Sequence, residues 1–165
     1  MVATQSLFQA SEKTIVSTTL DIDTVASHIR QGFEGLTLGG VDVLARLYAV
    51  DARFKDPFND VQGRSAIAHI FLHMFGQVDM PQFVVTALIT KVGTAGVCSQ
   101  IFMRWDFLFV ARGKAQTIHG ATHFELDTTG LITLHRDYWD AAEELYEKIP
   151  VLGFILRWLK SKLKA

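Results

Sequence analysis

Two short polar segments in the second half of the chain contain the side chains best suited to chemistry. The first runs from Arg104 to Asp106 and the second from His135 to Asp140, and each lies inside an apolar run typical of a buried strand. A charged side chain that leaves water loses several kcal/mol of solvation free energy unless it is paired. Two acids and an arginine on neighbouring strands therefore predict a polar site with a function.

Side-chain alternation predicts which of these groups meet. Arg104 and Asp106 lie on the same face of their strand, with Trp105 on the opposite face, and His135 and Asp137 lie on one face of the later strand. If both polar faces turn inward, the arginine binds two carboxylates. One carboxylate then remains ionised as a base and the other is protonated as an acid, as general acid–base catalysis requires. An ordinary cross-strand ion pair explains the same residues equally well.

The bulk properties narrow the function classes. The chain has 165 residues, of which 49% are hydrophobic, and this suits one compact domain with a core. Its 16 basic and 17 acidic residues give no global attraction to phosphate groups, so we expect no nucleic acid partner. The N-terminus lacks the pattern of a secretory signal, and no apolar run has the length of a membrane span, so we expect no integral membrane association. The single cysteine, Cys98, suits a reducing cytoplasm.

The periodicity of apolar residues predicts an α+β fold. Helical spacing of these residues predicts three helices within 25–33, 41–48 and 67–75. Runs of β-branched and aromatic residues then predict four strands within 83–92, 96–110, 115–126 and 131–139. We expect the helices to pack on one face of a strongly curved antiparallel sheet, which makes a cone with an open mouth. Pockets for small molecules form in such places.

The two ends of the chain differ from the middle. Residues 1–20 have no sustained period and are expected to form an N-terminal extension, followed by a domain over 21–145. Residues 146–165 are basic and amphipathic, which predicts a C-terminal helix that packs on the domain or on a dimer partner. Binding of this helix to a membrane surface is the alternative.

The two polar segments resemble motifs of a known family. The segment from Ile132 to Asp140 resembles the late strand of limonene-epoxide hydrolases, which has the form I-T-x-W-R-D-Y-F-D, and the segment from Arg104 to Asp106 is similar to that family's R-x-D. The resemblance implies that Asp137 activates water, that Arg104 orients the two acids, and that Asp106 donates a proton to the leaving oxygen. An epoxide is the substrate class that it implies.

The wider pattern resembles the SnoaL-like branch of the nuclear transport factor 2-like superfamily. The matching residues lie between Leu47 and Ile67 and again from His123 to Leu126. This resemblance implies a cystatin-like α+β cone that often forms a homodimer. It leaves the activity open, because the same fold carries hydrolases, isomerases, cyclases and binding modules.

Two positions depart from the epoxide hydrolase pattern. A tyrosine and an asparagine on the first strand of that family help the base hold its water, and the matching positions here are Phe54 and Asp56. Phe54 makes no hydrogen bond and an ionised Asp56 only accepts them. Asp56 also matches the base of ketosteroid isomerases, whose oxyanion hole needs a tyrosine and a protonated aspartate where this chain has Thr122. Next to a proline, Asp56 is otherwise an ordinary turn residue.

The histidines are weak evidence for a metal site. His69 and His73 lie four apart on a predicted helix, and His119 and His123 share a strand face, but neither pair has the third ligand that a zinc site needs. We therefore predict no metal, and the absence of a glycine-rich phosphate loop predicts no nucleotide cofactor. His135 either lines the pocket and titrates near neutral pH or simply packs there.

Two hypotheses from different classes follow. The first is a cytoplasmic, cofactor-independent enzyme that hydrolyses an apolar small molecule, with Asp137, Arg104 and Asp106 as catalytic residues. Its substrate-binding residues are predicted to be Phe54, Asp56, Thr122 and His135. The second is a non-catalytic binding module, in which the same cone holds a lipid-like or aromatic ligand whose carboxylate pairs with Arg104.

Overall fold

A computed structural model describes residues 20–94 and 96–144 of the chain. The predicted N-terminal extension and C-terminal helix, apart from Leu20 of the extension, lie outside these residues. The elements in chain order are helix α1 (Ile22–Glu34), a 3-10 turn (Leu38–Gly40), α2 (Val41–Ala45), β1 (Tyr48–Lys55), β2 (Asp60–Gln62), α3 (Arg64–Gly76), β3 (Asp79–Lys91), β4 (Ser99–Ala111), β5 (Lys114–Leu126), β6 (Ile132–Tyr138) and α4 (Ala141–Glu144). Within the described ranges, no helix is long and apolar enough to cross a membrane.

The strands form one six-stranded sheet in the order β2-β1-β6-β5-β4-β3. Neighbouring strands are antiparallel except for β1 and β6, which are parallel. The helices pack against the inner face of this curved sheet, so the predicted α+β fold is confirmed. The parallel pair joins the first strand of the chain to the last, and it brings residues far apart in sequence to one place.

Helix α1 shows why these residues form helices. Its buried side chains recur at helical spacing, and Asp21 caps its start by accepting hydrogen bonds from the backbone N–H and the hydroxyl of Thr24 at 3.3 and 2.6 Å. The second predicted helix is shorter than expected. It ends at Ala45, and Tyr48 begins β1, where the N–H of Ile132 binds the carbonyl of Leu47 at 2.8 Å.

The inner face of the sheet is aromatic. On β4, Ile101, Met103, Trp105 and Phe107 are buried, and the residues between them are not. The buried ring of Phe33 on α1 makes edge contacts with aromatic rings on α3 and β3, at centroid distances of 5.8 and 5.5 Å. Each fully buried side chain of this size contributes roughly 1.5–3 kcal/mol, so this face holds the helices on the sheet.

An irregularity in β6 directs the late polar segment inward. The pairing of β5 with β6 shifts register between Glu125 and Leu126, a bulge that changes which residues of β6 face the core. As a result Ile132 and His135 are both buried although they are three residues apart. Asp137, two residues further on, then reaches the inside of the cone on the same face as His135.

Candidate active site

A cavity of about 570 Å³ opens between helix α3 and the inner face of the sheet. Its wall is mainly aromatic, and the rings that line it belong to Phe33, Phe54, Phe58, Phe71, Phe83, Trp105, Phe107, Phe109 and Trp139. A few polar side chains interrupt this wall, among them Thr122 and Asp137. An apolar cavity with a few convergent polar groups is the usual form of a small-molecule site.

Asp137 is the carboxylate inside this cavity. Its side chain is 15% exposed, and Oδ1 accepts hydrogen bonds from the hydroxyl of Thr122 and from Nε2 of His135 at 2.8 Å. Its other oxygen, Oδ2, has no partner among the described residues. Oδ2 is not enclosed, because the one buried side-chain nitrogen or oxygen without a partner in the described ranges is Nε2 of His123. Asp137 therefore has one anchored oxygen and one that is free to accept a proton.

Tyr48 determines how His135 binds Asp137. The Tyr48 hydroxyl lies 2.7 Å from Nδ1 of His135, and both side chains are almost fully buried. Burial, with a smaller contribution from the charge of Asp137, raises the pKa of Tyr48 well above its ordinary value of 10.0, so the phenol keeps its proton. Tyr48 then donates to Nδ1, which leaves the imidazole proton on Nε2 to be donated to Asp137.

Aromatic rings surround His135. The nearest ring centroids are those of Phe54 at 4.6 Å and Phe124 at 4.8 Å, and the ring of Tyr48 stacks on it at 5.9 Å. His135 lies behind Asp137 and does not line the cavity. Of the two uses that we predicted for it, packing is the one that the structure shows.

Trp105 and Gly120 position the second donor. The indole N–H of Trp105 donates to the Thr122 hydroxyl oxygen at 2.8 Å, and Thr122 therefore directs its own proton to Asp137. Gly120 lies directly opposite Trp105 on β5, and a Cβ atom there would lie 2.4 Å from two carbons of the indole ring. Only glycine allows the ring to lie this close to the neighbouring strand.

Arg104 and Asp106 lie elsewhere. Both are on the outer face of β4, where Arg104 donates to the hydroxyl of Thr86 at 3.1 Å and Asp106 pairs with His119 at 2.7 Å. The predicted alternation is right, but the expectation that they share a face with Asp137 is wrong. The inward position of Trp105 forces its two neighbours outward, and the expected Asp-Arg-Asp cluster does not form.

Asp56 caps a turn at the cavity mouth. One of its oxygens accepts from the N–H of Phe58 at 2.7 Å, and the side-chain amide of Asn59 lies 3.0 and 2.9 Å from the two oxygens. These bonds satisfy the carboxylate inside the loop between β1 and β2. Asp56 lines the cavity, as does Phe54, but both of its oxygens accept hydrogen bonds, whereas Oδ2 of Asp137 accepts none from the described residues.

The other histidines do not converge on Asp137. His69 and His73 are exposed at the rim of the cavity on α3, and Nε2 of His73 lies 2.8 Å from the side-chain nitrogen of Gln77. His123 is on the outer face and stacks on Phe102 at 4.5 Å. In the ranges that the structure describes, no group of three or more His, Cys, Asp or Glu side chains is arranged to hold a metal ion.

Sequence reasoning missed Tyr48 and Trp105 as parts of the site. The alternation along the strand predicts only the face of Trp105, although a buried indole N–H needs a partner and Thr122 is one of the predicted site residues. The helix predicted within 41–48 includes Tyr48 and hides its place in β1. A histidine at 135, where the epoxide hydrolase pattern has tryptophan, is the signal that a buried hydrogen-bond partner had to exist.

Comparisons with known proteins agree with this fold. A family model described as the SnoaL-like domain matches residues 29–135. An epoxide hydrolase from M. tuberculosis, described as LEH-like, has a similar structure with 19% sequence identity and a TM-score of 0.59, over 73% of this chain and 86% of that one. No curated protein matches the sequence.

Two further structures are similar. The epoxide hydrolase/cyclase-like enzyme SalBIII, of pyran ring formation in salinomycin, has 18% identity and a TM-score of 0.55, over 72% of this chain and 88% of its own. A protein from Catenulispora acidiphila with a ketosteroid isomerase-like fold has 17% identity and a TM-score of 0.59, over 78% and 92%. At these identities the likeness shows the fold alone.

Replacing Gly120 with alanine tests the packing of Trp105. We expect G120A to lower the free energy of unfolding by about 1–3 kcal/mol, because the new methyl group overlaps the indole ring. In a Trp105→Phe background the same change should cost much less, since phenylalanine lacks the overlapped carbons. Urea unfolding of the four proteins measures this coupling. Gly32→Ala, whose Cβ would lie 2.8 Å from a flexible Leu47 methyl, is the control and should cost the same in both backgrounds. An equal cost of G120A in both backgrounds would contradict the assignment.

The buried phenol of Tyr48 predicts a pH dependence of stability. The pKa of Tyr48 is raised in the folded state. Its contribution to the free energy of unfolding is therefore fully present below the pKa of an unfolded tyrosine, about 10, and is lost as the pH rises from there through the raised pKa of the folded state. We expect the free energy of unfolding to fall less steeply in this range for Tyr48→Phe than for the parent protein. Tyr138→Phe, at a position 52% exposed, is the control and should retain the parent's slope. Identical slopes for all three proteins would show that Tyr48 ionises freely.

Proposed function

The chain belongs to the SnoaL-like domain family, and on that premise we propose that it is an enzyme acting on an apolar small molecule, with Asp137 as the general base. The observation that carries the proposal is the state of this carboxylate, which has one oxygen held by two donors and the other free in an aromatic cavity. A base needs this combination of fixed position and an available lone pair. The proposed chemistry uses side chains alone, without a metal or organic cofactor.

The surrounding residues hold the base in place. Thr122 and His135 orient the carboxylate and stabilise its charge through hydrogen bonds, and Tyr48 holds His135 in the tautomer that donates to it. Phe54 and Asp56 line the cavity and are proposed to contact the substrate. The indole N–H of Trp139, which has no partner in the described residues, is the donor that we assign to a substrate oxygen.

Hydrolysis of an epoxide is the reaction that we propose to test first. The resemblance of the segment from Ile132 to Asp140 supports it, and so do the printed names of two similar structures. In this reaction water gives a proton to Asp137 while its oxygen bonds to a ring carbon and the carbon–oxygen bond breaks. The alkoxide then regains a proton from Asp137 or from water, which yields a diol. Arg104 and Asp106 take no part, since they lie on the outer face.

Two other readings of the cavity have less support. Proton transfer between carbons by Asp56, as in ketosteroid isomerases, is disfavoured because both of its oxygens accept hydrogen bonds within the turn. A non-catalytic binding module remains the alternative, although the pairing of Arg104 with a ligand carboxylate is excluded by its outward position. Cytoplasmic location stays a prediction from the composition of the chain.

The exchange of Asp137 for asparagine tests the base directly. Asp137→Asn keeps the shape of the side chain but removes the basic oxygen, so we expect kcat/KM to fall by about 10²–10⁴-fold. Diol formation from styrene oxide and cyclohexene oxide provides the assay, and circular dichroism checks the fold. Asp106→Asn, on the outer face, is the matched control and should retain the parent's activity. Full activity in Asp137→Asn would show that Asp137 is not the base. If the parent protein binds these compounds without turnover, the result supports the binding module.

We also propose that a second copy of the chain covers the outer face of the sheet. This face exposes Ile89, Phe102 and Tyr138, which are 66%, 45% and 52% exposed. It also carries Arg104 and Asp106, two residues apart on β4. When two copies are related by a twofold axis, the positive charge of one copy can face the negative charge of the other. Apolar residues with charges of both signs suit an interface between identical subunits.

Sedimentation equilibrium tests this homodimer. The parent protein should sediment as a dimer, and Phe102→Glu should shift it to a monomer, because a charge enters the centre of the apolar patch. Val43→Glu, at a position 64% exposed on α2, is the control and should leave the dimer intact. A parent protein that is monomeric, or a dimer that both variants retain, would contradict the proposal.

A further inference from the structure

The charged residues of the cavity wall are acidic. Of its lining residues in the described ranges, Asp56 and Asp137 are acidic and none is lysine or arginine. The two histidines of the lining, His69 and His73, are exposed at the rim on α3, where Nε2 of His73 lies 2.8 Å from the side-chain nitrogen of Gln77. Partly buried carboxylates are normally compensated by a cation. Here Asp137 is held by a hydroxyl and an imidazole, and it has no lysine or arginine partner among the described residues.

Nearby basic side chains are bound elsewhere. Arg64 donates to the backbone carbonyl of Tyr48 at 2.8 Å and does not line the cavity. Lys55 binds Asp60 at 2.7 Å, and together with Arg53 it holds the pKa of Asp60 well below its usual range. Each of these cations already has a hydrogen-bond acceptor outside the cavity, so none of them is available to a ligand in the cavity.

A second, more open cleft of about 730 Å³ adjoins the cavity and shares Asp137 with it. Its charged lining residues are Lys55 and Arg136 on the basic side and Asp56, Asp60, Asp137 and Asp140 on the acidic side. Carboxylates outnumber cations here as well, and the Arg136 guanidinium lies over the ring of Tyr138 at 5.1 Å. A ligand that approaches through this cleft therefore meets the same sign of charge.

We propose that the cavity admits uncharged ring compounds that carry a hydrogen-bond acceptor, and rejects carboxylates and phosphates of the same shape, with Asp137 as the selecting group. Ketones, amides, alcohols and epoxides belong to the accepted class. The wall of aromatic rings binds a planar apolar body. An anionic group about 5 Å from Asp137, in a medium of effective dielectric constant near about 20, loses at least ten-fold in affinity through like-charge repulsion. This inference deepens the proposed function, because it names the substrate class of the same site.

A pair of ligands with the same ring and the same shape tests the inference. Naphthamide is uncharged and naphthoate is its anionic counterpart at neutral pH. Isothermal titration calorimetry should show that naphthamide binds the parent protein at least about ten-fold more tightly than naphthoate. In Asp137→Asn this ratio should fall close to one, because the repelling charge is gone. Asp106→Asn removes a carboxylate from the outer face instead and should retain the parent's ratio.

Several results would overturn the inference. If naphthoate binds the parent protein as tightly as naphthamide, the inference is refuted without any variant. If neither ligand binds the parent protein, it is refuted as well. A ratio that is unchanged in folded Asp137→Asn would show that another group selects against anions. The two proposals fail separately. If Asp137→Asn keeps the parent's activity but loses the preference for the uncharged ligand, only the role of Asp137 as the base is refuted. If it loses activity but keeps the parent's ratio of affinities, only its role in selecting the ligand is refuted.

Discussion

A partly buried carboxylate with no cationic partner governs the rest of this site. Asp137 is 15% exposed, and it is held by Thr122 and by His135, without a lysine or arginine partner in the described residues. Such a carboxylate is stable only if its donors are well aligned, because the cost of an unmet hydrogen bond rises as water is excluded. Each donor therefore needs a support of its own, which Trp105 provides on one side and Tyr48 on the other. The result is a hydrogen-bonded chain across four strands of the sheet.

This chain links the fold to the proposed chemistry. Strand β1 supplies Tyr48, and its parallel pairing with β6 brings that residue to His135, 87 positions away in sequence. Strand β4 supplies Trp105, whose ring can lie close to Gly120 because that residue has no side chain. The same aromatic residues that anchor the helices also form the cavity wall. Stability and function therefore depend on one set of packed rings, and the polar groups are confined to the edge of that set.

The sequence predicted the fold class and the alternation of β4, but it did not predict which face turns inward. Two arguments competed at Arg104 and Asp106, since motif resemblance placed the charges inside and hydrophobic burial placed Trp105 inside. Burial of an aromatic side chain is worth about 1.5–3 kcal/mol, whereas burial of an unpaired charge costs several, so both energies favour the observed orientation. The resemblance drew attention to the strand of Asp137, whose side chain lines the cavity. The contact between Tyr48 and His135 was beyond prediction, because these residues meet only through a parallel strand pair and a bulge that no local pattern reveals.

The protonation of His135 tests the central claim most directly. If Tyr48 donates to Nδ1 and Asp137 accepts from Nε2, then ¹⁵N NMR of the imidazole at neutral pH will show a protonated Nε2 and an unprotonated Nδ1. This is the tautomer in which Nε2–H of His135 donates to the Asp137 carboxylate and leaves the other carboxylate oxygen open to a substrate or water. Two protonated nitrogens, or a proton on Nδ1 alone, would contradict the account, because the carboxylate would then be neutralised by a cation or would lose its donor.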